Sequence, residues 1–410
     1  MYDFSTIIDR SGTGACKWER RSDYEKAHSI LPMSVADMEF KAPPCVQEAL
    51  EKAARHGIYG YTDPTPAYHQ AVTGWMARRH NLAVDPQHIV TLNGVVPALG
   101  IAVRALTQPG EGVIFQPPVY HPFRITIERN QRTPLPCPLR LTGKGYQMDF
   151  QALEAAAARP EAKLMLLCSP HNPVGRVWTR EELAQVDQIC RRHGVVVVAD
   201  EIHGDLVIQG PHIPFPNLGE AARDNCVLCT APSKTFNIPG LQTANILIFN
   251  PELRQCFARQ AQIDGFENMS YFGHAATIAA YQGGAPWLDA VLDYVADNYK
   301  ALQAFFAARM PQVRLFPMEG TYLAWADFRA LGMSAAELER FMRGEAHMIL
   351  DEGYIFGQEG EGFERFNLAL PRQELERQLE APVSYTHLDV YKRQGPARPG
   401  KRPAKPQSGP

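Results

Sequence analysis

Three residues of unlike chemistry each follow an apolar run: Asn172 in SPHNPVG after KLMLLC, Asp200 at the end of VVVVAD, and Lys234 in APSKTF after CVLCT. A lysine amine can condense with a carbonyl to form an imine, a carboxylate can hold a protonated ring nitrogen, and a carboxamide can donate to an anionic oxygen. Singly each is weak evidence, since a lone lysine is most often a solvated surface group and polar residues commonly close strands. Their weight comes from company, because each stands at the end of a different predicted strand.

Such a set meets the demands of a pyridoxal 5'-phosphate (PLP) site. An anion must face the pyridine nitrogen so that the ring acts as an electron sink, a donor must contact the phenolate oxygen, and an amine must form the imine. The phosphate end needs donors of its own. The run Asn93-Gly94-Val95-Val96-Pro97 reads as a strand-to-helix turn whose free backbone N–H groups can cradle an anion, and Ser233 can add a hydroxyl. Gly94 alone says little, because glycine at such a turn more often serves backbone geometry. Tyr120, in QPPVYHPF, follows another strand end and is placed to stack on a ring; the plainer reading is a half-buried tyrosine.

The elements that must position these residues are visible as an alternation of short apolar runs and helical periods from about Ala42 to Gly284, the pattern of a mostly parallel sheet covered by helices. Strands are expected at Ile89 to Leu92, Gly112 to Phe115, Lys163 to Cys168, Val195 to Ala199, Cys226 to Thr230 and Ala244 to Phe249. Between the third and fourth, Thr179 and Glu182 form a T-x-x-E capping box, Leu183, Val186 and Cys190 share one face, and Gly194 stands where a helix ends. That unit predicts a right-handed crossover between parallel strands, with ligands bound beyond the strands' carboxyl ends. From about Trp287 to Glu380 a long helical pattern precedes strand-like segments at Thr321 to Ala326 and Phe363 to Ala369. The expected fold is therefore α/β: a large domain over 42–285 with a seven-stranded type of sheet, a smaller α+β domain over 286–381, and an N-terminal segment, 1–41, joining the smaller one.

At 410 residues with a net charge of −3, the chain is long enough for two cores and carries no overall field that would gather nucleic acid or an anionic membrane. Neither a signal-peptide pattern at Met1 to Arg10 nor a run of membrane-spanning length is present in the sequence, which reads as cytoplasmic. The eight cysteines read as reduced thiols in apolar contexts, and Cys226-x-x-Cys229 lacks the second ligand pair of a metal site, so no metal is expected. From Pro382 the composition changes. Tyr391 to Pro410 holds six Lys or Arg and no Asp or Glu, and Val383 to Gln394 resembles an adapter-derived sequence, so 382–410 reads as a disordered, non-native tail.

The blocks IDRSGTGACKW, LPMSVADMEF, YGYT, GVVPAL, QPPVYHPF, SPHNPVGRVW, ADEIHGDL, SKTFNIPGLQ, GTYLAW and RFNLALP run in order from about Asp9 to Pro371. Together they resemble the fold-type I PLP enzymes, and within them the MalY/PatB group of cystathionine β-lyase-like C–S lyases. The resemblance implies that Lys234 is the Schiff-base lysine, Asp200 the partner of the pyridine nitrogen, Asn172 the donor to the phenolate oxygen and Tyr120 the stacked ring. It further implies that Arg365 pairs with the α-carboxylate of an amino-acid substrate, and that Tyr61 reaches the phosphate of a neighbouring subunit's cofactor in a homodimer. Ser34 departs from a tryptophan common in the group, implying a wider or wetter pocket. Gln242 and Ala231 replace an arginine and a serine frequent in aminotransferase relatives. His203 belongs to the pattern without a chemical role. The implied reaction is cleavage of cystathionine or another S-substituted cysteine to pyruvate, ammonia and a thiol. Transamination uses the same residues and stays open, as does a PLP-binding regulatory protein.

Overall fold

The computed structural model describes residues 2–384. In chain order its strands are β1 (Ile89–Leu92), β2 (Gly112–Phe115), β3 (Thr133–Pro136), the hairpin β4 (Arg140–Thr142) and β5 (Gly145–Gln147), then β6 (Ala162–Cys168), β7 (Val196–Asp200), β8 (Cys226–Thr230) and β9 (Ala244–Leu247). Seven of these form one sheet in the order β1-β9-β8-β7-β6-β2-β3, in which β9 alone runs antiparallel to its neighbours. The six expected strands are all present within one or two residues at their ends. The seventh, β3, escaped notice because Pro134 and Pro136 interrupt its apolar pattern; prolines are tolerated there because β3 lies at the sheet edge.

The central strands are buried on both faces, as their continuous apolar runs require. Val198 and Val227 pack with the helices Val95–Leu106 and Pro251–Ile263, while Val197, Ala199 and Leu228 face the opposite layer, which includes Arg180–Arg192. That last helix begins at the expected capping box, with Thr179 accepting from the Glu182 N–H, and ends before Gly194 at φ 67°. Two cysteines depart from the expectation: Cys16 and Cys256 are exposed, whereas Cys226 and Cys229 are buried strand residues.

A second, antiparallel sheet in the order β10-β11-β13-β12 joins β10 (Arg314–Leu315), β11 (Leu323–Asp327), β12 (Asp351–Glu352) and β13 (Phe363–Asn367). The long helix Ala285–Arg309 and the helix Arg372–Ser384 pack beside it. This helix runs through the first three positions of the expected tail; the rest of that expectation lies outside the described residues.

The N-terminal segment is bound to this sheet by its backbone. Met33 N–H donates to Ile349 O (2.8 Å), Asn367 N–H to Met33 O (2.9 Å) and Glu39 N–H to Ala369 O (2.9 Å). Its turn at residues 34–38 is locked by charge. Lys17 Nζ, with a side chain 1% exposed, lies 2.7 Å from Asp37 and 2.6 Å from Glu39, and Arg10 reaches the same carboxylates at 2.8 and 3.0 Å. Burial alone would raise the Asp37 carboxyl, but Lys17 and Arg10 hold it below its ordinary value. Removing one member leaves buried charge uncompensated, which costs about 3–5 kcal/mol. Lys17→Met should therefore lower the guanidinium unfolding midpoint far more than Arg55→Met, whose partner Glu51 is exposed; equal midpoints would refute the cluster's role.

Candidate active site

The carboxyl ends of the parallel strands converge on a cavity of about 430 Å³. Asp200 is the last residue of the central strand β7, opposite Cys168 of β6 and Cys229 of β8, both buried. Surrounded by these weakly polar neighbours, its carboxylate receives one hydrogen bond, from Ile202 N–H at 3.2 Å. Burial pushes its pKa up to about 7, with the Ile202 bond and the charge of Lys234 acting in the opposite sense.

Lys234 lies on the short helix Pro232–Thr235 that follows β8. Burial is the main cause and Arg365 a further one of its pKa being pushed down to about 8; Asp37 and Asp200 act against them. Its Nζ donates to Ala36 O at 2.5 Å, and the Tyr322 hydroxyl donates to the same carbonyl at 2.8 Å. Beneath it, Asp205 accepts from Thr235 Oγ1 (2.7 Å), His80 Nε2 (2.7 Å) and Trp75 Nε1 (3.0 Å), tying the lysine's helix to Pro66–His80. Burial opposes protonation of His80, but Asp205 outweighs it and holds the imidazole pKa above its ordinary value.

Asn172 and Arg365 form a second pair. Arg365 NH1 donates to Asn172 Oδ1 at 2.7 Å, which leaves the Asn172 amide N–H groups available to the cavity. The guanidinium also pairs with Asp351 through NH2, lies 4.8 Å over the Phe356 ring, and keeps a buried Nε without a partner. Tyr120 lines the same cavity, its backbone N–H bonded to Asn172 O at 3.1 Å, and burial raises its phenol pKa.

At the other end, Gly94, Val95, Val96 and Ser233 all line the cavity. The helix Val95–Leu106 begins there without a side-chain cap, so the N–H groups of Val95 and Val96 are unclaimed donors. Asn93 Oδ1 is buried and unpartnered close by. An unpaired buried carboxylate, a phenol at the wall and an uncapped helix terminus together fit a planar, ring-protonated phosphate ester such as PLP. The amine fits its carbonyl.

One expected residue stands apart: Tyr61 is 97% exposed and does not line this cavity. Ser34 is 8% exposed and its short side chain does not reach the lining. Its carbonyl and those of Val35 and Asp37 face Asn367 Nδ2, so position 34 serves the turn. Gln242 lines the cavity, in left-handed backbone at φ 49°, whereas Ala231 is buried elsewhere. His203 lines it as a neutral ring, its pKa held far below normal by burial, with Nδ1 unpartnered. Residues that sequence reasoning missed are Ala36, Asp351 and Arg20. Ala36 acts through its carbonyl, which no side-chain pattern betrays; Asp351 is brought to Arg365 by the pairing of β12 with β13.

Comparison with known proteins agrees with this geometry. The family described as Aminotransferase class I and II matches residues 28–381. The chain is 42% identical to cystathionine beta-lyase PatB of Bacillus subtilis over 386 residues, covering 93% of this chain and 100% of PatB. It is 38% identical to protein MalY of Escherichia coli, covering 92% and 97%. Among solved structures, cystalysin of Treponema denticola, which contains a pyridoxal 5'-phosphate cofactor, aligns with TM-score 0.91 and 39% identity over 95% of this chain and all of that one. A PLP-bound C–S lyase of Staphylococcus hominis aligns with TM-score 0.86 and 30% identity over 94% and 98%. With the family model matching nearly the whole described chain, and relatives at 42% and 38% identity aligned over almost their full length, this chain belongs to the class I and II aminotransferase family.

Proposed function

We propose that the chain is a PLP-dependent C–S β-lyase that cleaves cystathionine or related S-substituted L-cysteines to a thiol, pyruvate and ammonia. The observation that carries this reading is the juxtaposition of a half-buried amine of lowered basicity, Lys234, with Arg365 and an unpaired buried acid, Asp200, in one cavity. The choice of lyase over transaminase is supported by similarity to PatB and to the S. hominis C–S lyase.

When bound, PLP supplies an electron sink for the pair left behind as the substrate's Cα–H bond breaks. Lys234 is the attachment point for the cofactor, and its Nζ, with a pKa of about 8, is neutral often enough near neutral pH to accept the Cα proton once released. Asp200 would keep the ring nitrogen protonated, and Asn172 would donate to the phenolate oxygen. Tyr120 would pack against the ring. Val95 and Val96 N–H and Ser233 would hold the phosphate. Arg365 takes the α-carboxylate with its remaining N–H groups, including the unpartnered Nε. With the carboxylate fixed by Arg365, a substrate would present its Cα–H bond to Lys234, and the C–S bond would break as a thiolate leaves. Water then completes the balance, giving one pyruvate and one ammonium per thiol.

The two sheets support a division into a large domain, 42–285, and a smaller one, 286–381, joined by 1–41. The substrate's guanidinium partner comes from the second, and the amine and acid come from the first. Tyr61, Ile58 and Tyr59, respectively 97%, 70% and 56% exposed, group large apolar side chains on the surface, which supports a homodimer in which Tyr61 completes the partner's phosphate site. No helix among the described residues is long and apolar enough to cross a membrane, in keeping with a cytoplasmic reading.

Purified enzyme given L-cystathionine without any keto acid should release thiol, pyruvate and ammonia in equal amounts. A requirement for a keto acid, with no thiol from several S-conjugates, would replace the lyase with an aminotransferase. Borohydride should fix the cofactor on Lys234, and Lys234→Ala should lower turnover by about 10²–10⁴. Mixing Lys234→Ala subunits with inactive Tyr61→Ala subunits should restore part of the activity through hybrid dimers; none, with exchange demonstrated, would rule out shared sites.

Asp200 also sets a pH test on the cofactor-free protein. Its folded-state pKa is raised, from 3.8 to about 7, so the folded chain binds the proton more tightly than the unfolded chain. The resulting stability is fully present below the unfolded value and is lost as pH rises through the folded one. Asp200→Asn removes that loss and should gain on wild type across this window, by up to about 4 kcal/mol near pH 8. Saturating PLP should reverse the ranking, because the wild-type carboxylate then has a cation to pair with. A stability difference independent of pH in urea titrations would contradict the burial of an unpaired acid.

A further inference from the structure

The wall of the cavity includes a cation that the reaction above does not use. Arg20 lines the cavity with Lys234, Asp351 and Arg365, is exposed, and has no hydrogen bond or ion pair through its side chain among the described residues. The other charges there have partners or tasks: Arg365 meets Asp351 and Asn172, Lys234 meets Ala36 O, and Asp200 awaits a ring nitrogen.

The base of Arg20 is nevertheless fixed. Its backbone N–H closes the helix Cys16–Glu19 on Cys16 O at 3.3 Å. On one side, Lys17 is locked between Asp37 and Glu39, and Trp18 Nε1 donates to Glu39 at 3.1 Å. On the other, Arg21 is buried, with Nε on Trp18 O (3.1 Å), NH1 on Ile30 O (3.3 Å) and its guanidinium 4.3 Å over the Trp18 ring. Arg21 is thus a structural arginine, whereas its neighbour carries a free guanidinium from a rigid anchor to the mouth of the site. The α-carboxylate and nitrogen of the substrate are already held by Arg365 and by Lys234's chemistry. What remains for Arg20 is the part of the substrate beyond Cβ, the half that departs with sulfur.

We propose that Arg20 is a specificity-determining residue that binds a carboxylate at the far end of the leaving thiol, so that thioether amino acids with an anionic leaving half are preferred over uncharged ones of equal length. This rests on the lyase reading and names its substrate class. A planar guanidinium offers two parallel N–H donors to such a group, and an exposed pair of this kind is screened by salt.

The test compares S-carboxymethyl-, S-(2-carboxyethyl)- and S-(3-carboxypropyl)-L-cysteine, and L-cystathionine, with S-alkyl-L-cysteines of matching length. In wild type at least one carboxylate conjugate should exceed its neutral counterpart in kcat/KM by about three- to tenfold, through KM, and the advantage should shrink as salt is raised. Arg20→Met should abolish that ratio and Arg20→Lys should keep part of it. A ratio unchanged in Arg20→Met would overturn the proposal. A second arm needs no turnover: calorimetric affinity of the cofactor-free protein for glutarate should fall in Arg20→Met by a similar factor relative to its affinity for butyrate. If wild type releases no thiol from any conjugate, the lyase reading fails while glutarate still reports on Arg20. Glutarate binding indifferent to Arg20 would overturn the proposal in that case too.

Discussion

The amine of Lys234 is held in a buried place where a charge is expensive, and the surroundings are arranged around that constraint. The carboxylate of Asp200 is also deeply buried, and the cavity contains Arg365 as a further cation. Neither ionised form is stable there without compensation, so the amine loses basicity and the acid gains it. The same burial that weakens the lysine's hold on its proton makes it a usable base. The same burial that leaves Asp200 unpaired makes a ring cation welcome beside it. The free N–H groups of Val95 and Val96 suit an anion just as the Asp200 carboxylate suits a cation.

What holds the amine in place comes from far along the chain. Ala36 O is offered to Lys234 by a turn that owes its position to Lys17 and Arg10 on one side and to Asn367 on the other, while Asn237 Nδ2 bonds Met38 O and Phe40 O at 3.0 and 2.8 Å. The N-terminal segment, the helix of Lys234 and Tyr322, the residue before β11, thus meet at one backbone oxygen. A charge cluster of this kind contributes little net stability compared with apolar packing, but it fixes geometry, because losing one member exposes the others to burial without a partner.

Much of this was legible in the sequence, for reasons that differ by element. Strands β6 to β8 announce themselves because burial on both faces demands unbroken apolar runs, and the helix Arg180–Arg192 because its cap and stop use residues with few other purposes there. Lys234, Asp200, Asn172 and Tyr120 were found as polar residues at strand ends, and all four line one cavity. Arg365 came from resemblance alone, since an arginine inside a strand is chemically mute until the fold brings Asn172 to it. The edge strand β3 was hidden by its prolines, and the antiparallel course of β9 by the fact that apolar runs carry no direction. Asp351 and Arg20 were missed because an acid in a two-residue strand and one arginine of a pair have no pattern; only three-dimensional placement separates Arg20 from the buried Arg21.

The residues that make the first half of the reaction do not decide its second half. Binding of the α-carboxylate, retention of the ring proton and removal of the Cα proton are needed alike for elimination and for transamination, and in the proposed mechanism they draw on Arg365, Asp200 and Lys234 in both. Divergence begins at Cβ, where a good leaving group must be accommodated and its departure favoured over return of a proton to the cofactor. One wall of the cavity is formed by Arg20, His121, Ile355 and Phe356, from segments outside the central strands. Burial holds His121 below its ordinary pKa, so this wall presents a neutral ring and apolar side chains with one free cation. Because these segments are not tied to the register of the central sheet, substrate choice can change on that wall without disturbing the amine, the acid or the guanidinium to which the proposed mechanism assigns the chemistry.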